Sequence, residues 1–223
     1  ATLPVEEVTT LRTIIVAGEA CSAELVAQWA PGRRFFNAYG PTEITVCATI
    51  AECTDGRQKP PIGRPIANTQ VYVLDNQLQS LPVGVPGELC IGGIGLARGY
   101  INHPELTAAK FIPNPFMGTS QTRLYKTGDL VRYLADGNLE FLGRIDHQVK
   151  VRGFRIELGE IETVLKQHSA IQDVVVIVRE DFPGDKRLVA YWVAKQALAP
   201  ATVDLRHFLT EKLPNYMIPS AFV

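Results

Sequence analysis

The sequence predicts an α/β chain with a β-rich middle and a small α+β unit at its carboxyl end. Three observations carry this. Residues 12–40 read as strand, helix and strand. Residues 50–145 hold short strand-like runs broken by Gly, Pro and Asp-Gly turns. From about residue 146, helical and strand-like periods alternate over a stretch long enough for a small domain. The expected boundaries are 1–145 and 146–223. No Pro/Gly/Ser tether marks the junction, which predicts a short hinge.

RTIIVAG (12–18) is an apolar run ending in Gly, as a buried strand entering a loop would be. Ser22 is placed to cap a helix over SAELVAQWA, with Leu25, Val26 and Trp29 on one face. Pro31-Gly32 stops it, and RRFFNAYG supplies a second strand. Strand, helix and strand at this spacing predict a parallel pair, and ligands of such sheets sit beyond the carboxyl ends of the strands. QVYVLD, GELCIGG, LVRYL and LEFLGR read as strands of a small distorted barrel, with Asp136-Gly137 as a hairpin turn. HQVKVRGFRIEL reads as one strand with a glycine in its middle. LGEIETVLKQH reads as a helix with Ile161, Val164, Leu165 and His168 on one face. IQDVVVIVRE and LVAYWVAK are strands joined by a PGDKR turn. TVDLRHFLTEKL is an amphipathic helix with Leu205, Phe208, Leu209 and Leu213 on one side.

The 223 residues are 46% hydrophobic and carry a formal net charge of -1. No basic stripe points to nucleic acid, and no polybasic cluster points to an anionic membrane. The four cysteines form no CxxC pair, and the four histidines do not repeat at metal-ligand spacing. Cys47 and Cys90 lie in apolar runs and read as buried free thiols. The first twelve residues carry charges and lack a signal peptide's apolar core, and no apolar run approaches ~20 residues. The expected setting is soluble and cytoplasmic.

Residues 37–50, NAYGPTEITVCATI, offer the most chemistry. Gly40 permits a close approach of the backbone to a ligand or a positive φ. Tyr39 offers a flat face to a purine, Thr42 a hydroxyl to a phosphate oxygen, and Glu43 a hard oxygen to Mg²⁺. A Gly-Pro turn before an ordinary capped helix accounts for the same residues. In YKTGDLVRY, Asp129 could accept hydrogen bonds from vicinal hydroxyls such as those of a ribose, or simply close a turn. Residues 143–162 are dense in charge, as a solvated strand would be, but Gly153 hints at a bulge or a closely passing ligand. GELCIGGIGLARGY (87–100) lacks GxxxxGK[ST] and the dinucleotide fingerprint, so tight turns and close strand packing are its expected role.

These stretches occur in one order: NAYGPTE, GELCIGGIGLARGY, YKTGDLVRY, DGNLEFLGRIDHQVKVRGFRIELGEIE and LPNYMIP. Together they closely resemble successive core motifs of nonribosomal peptide synthetase adenylation domains, within the adenylate-forming superfamily of acyl-CoA synthetases and luciferase. The resemblance implies ATP and Mg²⁺, with phosphopantetheine on a partner carrier protein. It implies that Glu43 binds Mg²⁺ and Thr42 contacts the α-phosphate. Asn37, Ala38 and Tyr39 match the adenine-binding run, and Gly18, Glu19 and Ala20 match the stretch beside it. Asp129 matches the ribose carboxylate, and Arg144 an arginine reaching ribose and phosphates. Phe141 stands where the family often has Tyr, and only a packing role is expected of it. Asp146 matches the hinge about which the small subdomain rotates. Arg152 and Gly153 match the loop facing the pantetheine arm.

The resemblance also implies a specificity pocket lined by Ile15, Ala17, Ala38, Gly40, Val46 and Cys47. Its lining is small or apolar, so a charged substrate would be left unpaired, and phenylalanine or tyrosine is expected. For Ile15 and Val46, membership of the core is the competing reading. The implied partners are the amino acid, a peptidyl carrier protein, neighbouring synthetase domains and an amino-terminal part of the same domain. The competing functions are an acyl- or aryl-CoA synthetase and a non-catalytic binding module. The family's phosphate loop and substrate-amine Asp would lie before residue 1, and its NGK lysine beyond Val223. The chain alone is therefore expected not to adenylate; ATP–pyrophosphate exchange by the isolated chain above background would contradict this.

Overall fold

A computed structural model describes residues 4–117, 122–146, 148–182, 185–195 and 200–223. Pro183 and Gly184 of the expected PGDKR turn lie outside the described residues. The chain divides into two units, Ala1–Asp146 and His147–Val223.

The first unit begins with β1 (Thr13–Val16), α1 (Ala23–Trp29) and β2 (Arg34–Tyr39). Ser22 caps α1, its Oγ accepting from the Leu25 N–H at 3.1 Å. β1 and β2 pair in parallel, as the spacing predicts, with Ile15 opposite Phe36. The buried side of this unit gathers Val26 and Ala30 against Phe35, Ala51 and Cys53. Two short antiparallel strands, β3 (Thr49–Glu52) and β4 (Arg64–Pro65), complete a four-stranded sheet in the order β1-β2-β3-β4.

Next come β5 (Thr69–Leu74), β6 (Gly87–Gly93), α2 (Pro104–Lys110), β7 (Phe111–Pro113), β8 (Arg123–Tyr133) and β9 (Leu139–Arg144). Among the described residues these strands form an open antiparallel series, β5-β6-β8-β7, where a small barrel was expected. The length of β8 explains the difference. One edge pairs with β6, while the other is shared by β7 and then β9. The Asp136-Gly137 hairpin forms as expected between β8 and β9: Gly137 N–H donates to Leu134 O at 2.9 Å, and Asp136 Oδ1 accepts from Asn138 N–H at 2.9 Å. Leu89, Ile91, Val131 and Leu139 from this sheet pack with Tyr39, Ile44 and Ala48 in one apolar cluster.

The second unit contains β10 (Gln148–Val151), β11 (Phe154–Glu157), α3 (Leu158–Lys166), β12 (Ile171–Glu180), β13 (Lys186–Ala194), α4 (Thr202–Thr210) and β14 (Ala221–Phe222). Ile161 and Leu165 of α3 and Leu205 and Leu209 of α4 bury against Val174, Val176 and Leu188 of the β12–β13–β14 sheet. Residues 148–157 are not one strand with a glycine bulge. They form a hairpin whose two-residue turn is Arg152-Gly153, at φ 53° and 79°. Positive φ at both central positions is what a hairpin turn matched to strand twist needs, and glycine supplies the second at no steric cost.

All four cysteines are free. Cys90 is fully buried, while Cys47, expected to be buried, is only partly so. Burial, with Glu88 adding, pushes the Cys90 thiol from 9.0 up to about 12. The folded state holds the proton that the unfolded chain gives up, so this stability is whole below pH 9 and is lost as pH rises toward 12. The expected slope is about 1.4 kcal/mol per pH unit in that window. Urea denaturation across pH should show it, and Cys90→Ala should lower the slope by that amount while leaving the smaller share of Cys21, whose thiol burial pushes up to about 11.

Candidate functional site

The carboxyl end of β2 passes through Tyr39 into Gly40-Pro41 and a single 3-10 turn, Thr42–Ile44. The ordinary helix that could have followed the Gly-Pro turn does not form. Thr45 and Val46 take left-handed φ of 60° and 72° and send the chain back toward β3. Gly40 is required here by its own chain: a Cβ on it would lie 2.6 Å from Val46 O and 2.7 Å from Ala48 N. The close approach read from the sequence is thus an intramolecular one. Ala48 N–H donates to Tyr39 O at 2.8 Å and ties the loop's two ends.

Tyr39 is 8% exposed. Its ring lies in the apolar cluster, tilted against Phe141 at 6.5 Å, and its hydroxyl donates to Asp129 Oδ2. Burial, then the Asp129 charge, holds the Tyr39 phenol well above its ordinary value, so it remains a donor. Asp129 sits on β8 at 5% exposure, with its own N–H on Thr127 Oγ1 at 3.0 Å. Its Oδ1 accepts from Arg144 Nη1 at 2.7 Å, with the guanidinium carried by the adjoining strand β9. Arg144 also binds Asp146 with two donors, Nε to Oδ1 and Nη2 to Oδ2, both at 2.6 Å. One cation therefore spans two carboxylates, one buried and one half-exposed.

Glu43 is 8% exposed and accepts from the Tyr100 hydroxyl at 2.7 Å through Oε1. Thr42 beside it is exposed. Among the described residues no group of three or more acidic, His or Cys side chains could hold a metal. A lone hard carboxylate beside an exposed hydroxyl suits a Mg²⁺ that arrives with phosphate oxygens, since that ion keeps water and takes one or two carboxylates.

The remaining positions scatter around this centre. Asn37, on β2, is buried and donates to Pro61 O at 2.8 Å. Ala38, the next residue, is also buried. Gly18, Glu19 and Ala20 form the exposed loop after β1. Ile15 is 63% exposed and Val46 71% exposed, so neither belongs to a core of this chain. Ala17 is exposed, and Gly40 and Cys47 are partly so. Phe141 packs at the edge of the apolar cluster with the Lys59 amine 5.9 Å from its ring centre. Arg152 and Gly153 lie in the second unit, at the hairpin turn. Sequence reasoning missed Tyr100 and its neighbour Tyr125. The only available signal was their place in two of the ordered motifs.

The AMP-binding enzyme family matches residues 3–101, and the AMP-binding enzyme C-terminal domain matches residues 160–223. A linear gramicidin synthase of Brevibacillus parabrevis is 63% identical over 223 residues, which is 100% of this chain and 4% of that protein. Tyrocidine synthase 1 of the same organism is 54% identical over 221 residues, 98% of this chain and 20% of that protein. Among solved structures, NpsA-ThdA, an artificially fused adenylation–PCP di-domain NRPS from Klebsiella oxytoca, matches with a TM-score of 0.83 at 31% identity, over 98% of this chain and 41% of that one. The chain thus spans a small part of the synthases it resembles.

Removing Arg144 leaves the buried Asp129 carboxylate without its cation. Arg144→Met is expected to destabilise the protein by about 3 kcal/mol, and adding Asp129→Asn should recover part of that. Urea denaturation of the two single variants and the double variant reads the coupling.

Proposed function

We propose, from the premise that this chain belongs to the AMP-binding enzyme family, that it forms most of the nucleotide site and one side of the substrate pocket of an amino-acid adenylation domain in a nonribosomal peptide synthetase. The observation that carries the reading is the Tyr39–Asp129–Arg144 assembly at the end of β2, with Glu43 in the turn that follows that strand. Asp129 is a buried acceptor already oriented by two donors, and vicinal ribose hydroxyls are the ligand such a carboxylate takes. Asn37, Ala38 and Tyr39 line the same strand end, and the loop at Gly18, Glu19 and Ala20 closes the β1 end of the same sheet. Adenine belongs there, beyond the carboxyl ends of parallel strands.

The reaction is attack of an amino-acid carboxylate on the α-phosphorus of ATP, with pyrophosphate leaving. Charge grows on the phosphate oxygens. The Thr42 hydroxyl and the Arg144 guanidinium donate to them, and most of the rate comes from such prearranged donors. Mg²⁺, held through Glu43, supplies further positive charge to the phosphates when bound. Arg144 keeps Nη1 on the buried Asp129, and the Nε and Nη2 donors that it places on Asp146 here would turn toward the nucleotide on binding. Asp146 closes the first unit and is the hinge in this reading. Arg152-Gly153 faces the pantetheine arm of a peptidyl carrier protein, which accepts the acyl group as a thioester.

Ile15, Ala17, Ala38, Gly40, Val46 and Cys47 form the pocket wall. The exposure of Ile15 and Val46 supports this, since apolar side chains outside a core suit an apolar ligand. An aromatic amino acid, phenylalanine or tyrosine, is the substrate. ATP–pyrophosphate exchange by the intact adenylation domain across the amino acids tests the reading. Aromatic substrates should lead, and Glu43→Gln should cost about a hundredfold. Preference for Asp, Lys or Arg overturns the pocket reading, and CoA outrunning a carrier protein as acceptor overturns the assignment to peptide synthesis.

A further inference from the structure

The glycine-rich stretch 87–100 has no phosphate-loop pattern, and the function just described gives it no task. The structure places its second half along the Thr42–Ile44 turn. Ala97 N–H donates to Glu43 O at 2.8 Å, and the Thr45 hydroxyl donates to Gly95 O at 2.7 Å. The stretch then ends on Tyr100, whose hydroxyl reaches the Glu43 carboxylate at 2.7 Å.

Tyr100 is itself held on several sides. Its N–H donates to Thr107 Oγ1 of α2 at 2.9 Å, and that hydroxyl donates to His103 O at 2.9 Å. Its ring meets Phe111 edge-on at 5.6 Å, and its hydroxyl lies 3.3 Å from the hydroxyl of the fully buried Tyr125.

We propose that Tyr100 is a positioning residue for Glu43: backed by Tyr125 and braced by Thr107, its hydroxyl fixes the direction in which the carboxylate presents itself to the metal of a Mg²⁺–nucleotide. Glutamate has three rotatable bonds, and an unrestrained carboxylate loses rotamer freedom on metal binding. A charge-assisted bond from a rigid aromatic donor removes that freedom in advance. The main-chain bond from Ala97 holds the backbone of the same residue. Glu43 is thus gripped at both ends by a segment 57 residues away. The inference rests on the reading of Glu43 as the magnesium carboxylate.

Tyr100→Phe in the intact adenylation domain keeps the ring on Phe111 and removes only the hydroxyl. Calorimetric titration of ATP at a series of Mg²⁺ concentrations gives the half-saturating Mg²⁺, and AMP affinity without Mg²⁺ gives an internal reference. The expected result is a rise of about tenfold or more in half-saturating Mg²⁺ relative to that reference, the size that loss of one charge-assisted bond produces. Tyr125→Phe should move it in the same direction by less. If both affinities of Tyr100→Phe fall together, its role is structural and the proposal is overturned. If Glu43→Gln changes the Mg²⁺ response and Tyr100→Phe does not, the proposal fails while the reading of Glu43 stands. If Glu43→Gln leaves the Mg²⁺ response intact, the reading of Glu43 fails and takes the proposal with it.

Discussion

The Asp129 carboxylate is the constraint around which the first unit is arranged. It is nearly inaccessible to water, and burying such a charge costs several kcal/mol unless donors replace the lost solvent. Here the donors come from different places: Tyr39 from the four-stranded sheet and Arg144 from the neighbouring strand β9. The carboxylate therefore ties the two sheets of the unit together. Its neighbours must stay in register, or a charge is stranded in the interior. The same requirement holds a phenol, a carboxylate and a guanidinium together at one sheet end.

The turn after β2 works under a similar demand. Thr45 and Val46 occupy a left-handed region that costs non-glycine residues roughly 1 kcal/mol each. Three bonds offset this: Cys47 N–H to Thr45 O, Ala48 N–H to Tyr39 O, and the Thr45 hydroxyl to Gly95 O. Gly40 makes room for the returning chain. Backbone geometry sets where residue 43 stands in the turn, and the glycine-rich stretch holds that geometry from outside through Gly95 and Ala97.

The local elements could be read from the sequence because their signals are local. Ser22 caps α1, apolar runs give β1 and β2, and Asp136-Gly137 turns the β8–β9 hairpin. The turn at Arg152-Gly153 was missed because Arg is not among the residues that usually occupy a left-handed position, so the segment looked like one strand. The open sheet was missed because an eleven-residue strand serving two partners along one edge leaves no mark in periodicity. The site divides in the same way. Tyr39, Glu43, Asp129 and Arg144 stood out by their motifs. The bond from Tyr100 to Glu43 joins residues 57 apart, and no local pattern encodes it.

The exposure of Val46 has one more consequence. The backbone bonds on either side of it, Cys47 N–H to Thr45 O and Ala48 N–H to Tyr39 O, do not involve its side chain, which is 71% exposed. Ile15 is similar, on a strand whose partners hold it through the main chain. Side chains at such positions can be exchanged with small effect on folding, while Asp129 and Arg144 cannot. New side chains can therefore be tried at Ile15 and Val46 one residue at a time, and the buried Tyr39–Asp129–Arg144 assembly need not follow.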